Sequence, residues 1–140
     1  MRKLDQRGVA ALEFLLVAVP LFTLMFVVFD LGRYAITIHS LQMLANAEAR
    51  ANMINCYTPA AIGNTSPSSC TGDYLPVAQK QAVAPFLYGA DLTPKYGLTL
   101  NTASGTGALT VTASQPSFTM LVPIWGTTLN APSASTQIPF

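Results

Sequence analysis

Few side chains in this sequence have the type and spacing to do chemistry. His39 is the single histidine, and Cys56 and Cys70 are the two cysteines. His39 could activate Ser40 or Cys56, but on a helix His39 and Ser40, at i and i+1, point apart. No Gly-x-Ser-x-Gly elbow, glycine-rich phosphate loop or His-Glu-x-x-His helix occurs. One histidine and two cysteines supply no ordinary zinc set. The sequence therefore gives no catalytic residue, metal site or cofactor, and an anchored hydrolase is the least supported reading.

The one acid that demands an explanation is Glu13. Residues Val9 to Phe29 form an apolar run of 21 whose only charge is Glu13, with Pro20 and Thr23 as its other interruptions. A carboxylate deep in lipid costs several kcal/mol, about 2.5–3.5 at the bilayer centre. Snorkelling to the interface would lower that cost. A cationic partner inside an assembly would remove more of it. Cutting the chain after Gly8 would create such a partner, because Val9 would then carry a free ammonium that could pair with Glu13 of a neighbouring subunit.

The element that must carry Glu13 follows from the run itself. As helix it would be about 31 Å long, matching a hydrocarbon core of about 30 Å. It is longer than a removable signal's apolar region, and Phe26 to Asp30 offers no small-residue cleavage site. Arg2, Lys3 and Arg7 precede it and favour a cytoplasmic N-terminus. The composition agrees: 51% of residues are apolar, 9% are charged, and the net charge is +1. Such a chain is neither disordered nor a charge-driven nucleic-acid binder. Pro20 removes one helical hydrogen bond and crowds the carbonyl of Leu16, so it sets a kink or a tilt. At the far end Asp30 and Arg33, spaced i,i+3, form an exposed pair worth only about 0.5 kcal/mol, a solvated anchor where the helix leaves the membrane.

The helix should continue. Leu31, Ala35, Ile38, Leu41, Ala45, Ala49 and Met53 repeat at helical spacing, His39, Gln42, Asn46 and Arg50 take another face, and no glycine or proline interrupts Arg33 to Asn55. This predicts an amphipathic extension, residues 31–55, whose stripe the rest of the chain must cover. Residues 56–140 form the exterior region. Cys56 and Cys70 bracket a turn-rich stretch, and in an oxidising space outside the cytoplasm they favour a disulfide worth about 3 kcal/mol for a loop of about 15 residues. A short helix is expected within 73–88, limited by Pro76 and Pro85. Alternation predicts a hairpin of strands 96–102 and 108–114, a further strand through Phe118, Met120 and Val122, and an edge strand at 134–138. Trp125 and Tyr57 are aromatic anchors suited to packing, membrane-interface contact or binding.

Several of these residues together resemble a known family. Arg7-Gly8, Val9-Ala10-Ala11-Leu12 and Glu13-Phe14 are similar to the processing motif of the Tad branch of the type IV pilin superfamily, in which a glycine precedes the cut and a glutamate–aromatic pair follows. Phe29-Asp30-Leu31-Gly32-Arg33 resembles the acidic-x-Gly-Arg block that closes the membrane helix of TadE-like pseudopilins, with aspartate where glutamate is common. The likeness covers about residues 7–50.

The resemblance implies a 1–8 cytoplasmic leader, a 9–30 transmembrane and assembly helix, and cleavage between Gly8 and Val9 by a prepilin peptidase. The fold implied is α+β and pilin-like, a long N-terminal helix with a small antiparallel sheet. The function implied is that of a minor pilin in pilus initiation, assembly or tip capping, and hence adhesion. The implied partners are other minor pilins, the major pilin, the inner-membrane assembly platform and membrane lipid, with no nucleic acid. The chain would be a single-pass protein of the bacterial inner membrane with its C-terminal region periplasmic, later found in the pilus. The alternative is an unprocessed single-pass anchor carrying a periplasmic binding module.

Overall fold

The computed structural model of the chain describes residues 6–122, 124 and 126–140, the first three by backbone alone. The leader residues Arg2 and Lys3, and also Pro123 and Trp125, lie outside the described residues. One helix, α1, runs from Gln6 to Asn52 and carries Pro20 inside it without a break in assignment. Thr23, one turn on, donates its hydroxyl to the Val19 carbonyl at 2.8 Å. Helical structure does not stop at residue 55 as the sequence suggests. A π-helical turn, Met53–Tyr57, joins α1 to a short α2, Thr58–Ile62. Pro59 has no N–H to give Asn55, and the Asn55 side chain takes the Ala51 carbonyl at 2.9 Å, so the regular i→i−4 ladder is interrupted here. The widened turn lies immediately before the proline that causes it.

The exterior region packs on the outer part of α1. The helix α3, Val77–Val83, lies between Pro76 and Pro85, shorter than 73–88 because the prolines bound it. Three antiparallel strands, β1 (Thr99–Ser104), β2 (Ala108–Ser114) and β3 (Ser133–Pro139), pair in the order β1-β2-β3. The fold is α+β: one long N-terminal helix and a small antiparallel sheet. Register places Leu100, Thr102 and Ser104 opposite Ala113, Val111 and Leu109. On the other side Ile138, Thr136 and Ala134 face the same three β2 residues. Leu109, Val111 and Ala113 are completely buried and join Leu41, Leu44, Ala45 and Ala49 of α1 in one core. The period-2 pattern of β2 thus meets the helical stripe of α1, and each covers the other.

Two strand expectations are corrected. The first strand of the hairpin begins at Thr99 and not at residue 96, because Tyr96 (φ 54°) and Gly97 (φ 65°) both adopt the left-handed conformation in a tight turn. The alternation Phe118, Met120, Val122 does not form a strand. The Met120 N–H goes to Asn130 Oδ1, and those of Leu121 and Val122 go to a carboxylate of α1, so no donors remain for a ladder.

Candidate functional site

The residues singled out by their chemistry fall in two places on α1. Gly8 and Val9 are within its first turn region, and Glu13 and Phe14 follow on the apolar stretch. That stretch makes almost no contact with the rest of the chain. Leu12, Phe14, Leu16 and Leu24 are each 64–71% exposed. The segment is long and apolar enough to cross a membrane, with a mean hydropathy of 2.5. Glu13 is exposed on this surface, and among the described residues it has no ion-pair partner.

At the end of the run the sequence reading and the structure part company. Asp30 is not a solvated anchor: it is 1% exposed. Its Oδ2 accepts the backbone N–H groups of Leu121 at 2.8 Å and Val122 at 2.9 Å. Its Oδ1 accepts from Arg33 Nη1 at 3.3 Å. Arg33 in turn lies over the Phe118 ring, 5.3 Å from its centroid. Phe118 is buried and contacts Tyr34 at 6.5 Å and Tyr96, edge-on, at 5.8 Å between centroids. A carboxylate, a guanidinium and an aromatic cluster therefore latch the 115–132 loop onto α1. A hydrogen bond to a charged acceptor contributes about 1.5–3 kcal/mol, well above the worth of an exposed ion pair. Nothing in the local sequence of Asp30 announces a partner about ninety residues away.

A second latch was also missed. Glu48 and Asn52 lie on the buried side of α1, both with no exposed surface. Glu48 accepts N–H groups from Tyr74 at 2.8 Å and Leu75 at 3.0 Å. Asn52 donates to the Cys70 carbonyl at 2.7 Å. Cys56 and Cys70 are joined by a disulfide. Lys80 pairs with Asp73 beside them. Burial, reinforced by the Asp73 charge, holds the Glu48 carboxyl above its ordinary range even though its N–H donors and Lys80 pull the other way. The signal was present in the spacing: Leu41, Leu44, Glu48 and Asn52 share a face at three- and four-residue intervals. His39, Gln42, Asn46 and Arg50 are exposed, as their face suggested.

The remaining candidates assemble no reactive centre. His39 is exposed whereas Ser40 is buried, and Cys56 is consumed by its disulfide. Tyr57 donates its hydroxyl to the Pro139 carbonyl at 3.1 Å and ties the end of β3 to the helical turn. Gly32 has nothing within 4 Å of the position its Cβ would take.

Residues 8–50, about a third of the chain, match the family model described as TadE-like protein. No curated protein and no solved structure matches the chain.

Proposed function

We propose that this chain, TadE-like over residues 8–50, is a minor pilin of a Tad-type pilus. A prepilin peptidase cuts it between Gly8 and Val9, and the new N-terminus enters the filament through α1. It acts in pilus initiation, assembly or tip capping, and so in adhesion, and it is not an enzyme. Its partners are the peptidase, other pilins and the inner-membrane assembly platform. Before assembly it sits in the inner membrane as a single pass, exterior region outward, held by lipid along 9–30.

The observation that carries this reading is the coincidence of the family match with an apolar helix left bare by its own chain. Val9 to Phe29 is left almost wholly exposed by the exterior region, so it needs lipid or other helices around it. Glu13 supplies the specificity. In lipid its charge is costly, and in a helical assembly the Val9 ammonium of a neighbour would neutralise it. Gly32 supports the same use. A glycine inside a helix costs about 1 kcal/mol relative to alanine, and no contact in this chain recovers it, whereas a neighbouring helix could approach closely there. Gly8 also suits the cut. Both residues of the bond are helical, and a glycine lowers the cost of unwinding that turn to enter a protease cleft.

The test is expression beside the peptidase with and without Gly8→Ala. The reading expects the native chain to be trimmed and the variant to accumulate uncut in membranes. Equal trimming of both, or of neither, goes against it and leaves the tethered binding module.

A further inference from the structure

We propose that the loop between β2 and β3 is a membrane-interface foot through Leu121 and Ile124: these side chains rest in the headgroup–acyl boundary of the bilayer that α1 crosses. The proposal rests on the reading of Val9–Phe29 as a membrane span.

Position comes first. Asp30 is the first residue after the apolar run, so it marks the level at which α1 leaves the hydrocarbon. The loop is bonded to that level through the Leu121 and Val122 N–H groups. It also runs down the helix toward lipid. Phe118 lies beside Tyr34, whereas Leu121 and Val122 are fixed at Asp30, four residues or about 6 Å lower. One turn lower again Val27 is half-buried, although Phe26 and Val28 beside it are 55% and 59% exposed.

Chemistry comes second. Leu121 is 74% exposed and Ile124 is 58% exposed. No charged residue follows Lys95 in the chain, so nothing in the loop opposes contact with lipid. A solvated loop tip is ordinarily polar. This one exposes Leu121 and Ile124, and its backbone is bonded to Asp30 at the height of the interface. Arg33 supplies the complementary charge. One guanidinium nitrogen meets Asp30, the side chain is 36% exposed, and among the described residues its other donors show no hydrogen-bond partner, so they could reach a lipid phosphate at the same level. A neighbouring subunit could also cover Leu121 and Ile124, but the loop lies beside the one segment that enters the bilayer, and lipid is there before any assembly.

Trp125, the single tryptophan, sits next to Ile124 in sequence and reports directly. The full chain is reconstituted into phosphatidylcholine–phosphatidylglycerol vesicles whose acyl chains are brominated either near the headgroup or near the chain end. The foot predicts that Trp125 emission is blue-shifted and quenched more by the shallow bromines. It also predicts that Leu121→Ser with Ile124→Ser removes the quenching. A Phe22→Trp reporter in a Trp125→Phe background measures the span separately and should be quenched by the deep bromines. If Phe22→Trp is quenched and Trp125 is not, the foot is wrong and the span stands; the loop then faces water or a partner protein. If neither is quenched, the membrane reading falls and the foot with it. Quenching of Trp125 that survives the double serine variant also overturns the assignment.

Discussion

Glu48 behaves as a buried clasp, and its protonation has a measurable sign. Its carboxyl is held above its ordinary value by burial. The folded state then keeps its proton at a pH where the unfolded chain has released it. Stability from this group is therefore greatest below the ordinary carboxyl range and declines as pH rises through the raised value, levelling above it. Melting of the full chain in micelles should show that decline, and Glu48→Gln should remove it, so that the difference between the two curves isolates it. Glu48→Ala should also destabilise the exterior region by about 1–3 kcal/mol, because the Tyr74 N–H loses its acceptor and the Leu75 N–H keeps only a 3.3 Å contact with Asp73. An unchanged unfolding midpoint would deny the clasp. Glu13 is the opposite case, an exposed acid with no ion-pair partner among the described residues. If a Val9 ammonium pairs with it in the filament, losing even about 1.4 kcal/mol lowers incorporation tenfold. Glu13→Ala should therefore be cleaved normally and be scarce in sheared pili, and normal piliation would remove Glu13 from the mechanism.

The elements show which features of this fold are written locally. α1 was legible because a 21-residue apolar run and an uninterrupted stripe from Leu31 onward leave no other periodicity to choose. β2 was legible for the same reason, since Leu109, Val111 and Ala113 alternate with hydroxyl residues. The Phe118–Val122 stretch carried an equally good alternation and misled, because its N–H groups are claimed by Asp30 and Asn130. Propensity reads neighbours in sequence, and those acceptors are not neighbours. The placement of Gly8, Val9 and Glu13 on one apolar helix could be read in advance, whereas both latches depend on chain returning from a distance. Asp30→Ala tests the first latch. It should free the loop, so that limited proteolysis cuts between residues 119 and 127 while β2 and β3 stay protected. A cleavage pattern identical to the native one would mean that Phe118 alone holds the loop. Reduction of Cys56–Cys70 tests the second. It should cost about 3 kcal/mol for a closed loop of about 15 residues, read as earlier unfolding of the exterior region.

At the scale of the whole molecule the chain divides into a bare half-helix and a packed half-helix. The outer half is packed: Leu41, Leu44, Ala45 and Ala49 are covered by β2 and β3, Glu48 and Asn52 are latched, and its end is stapled by the disulfide. The inner half is unfinished, an apolar cylinder whose one acid has no ion-pair partner among the described residues. This asymmetry suits a subunit that folds its exterior alone and completes its interior first with lipid and then with other helices. It leaves a single chemical event as the hinge of the account, the exchange of a basic leader for a free ammonium at Val9. The intact mass of the chain purified from membranes that contain the peptidase measures that event directly. The account predicts a polypeptide of 132 residues, 140 minus the eight of the leader, beginning at Val9. Recovery of the chain with Met1 to Gly8 still attached would contradict it.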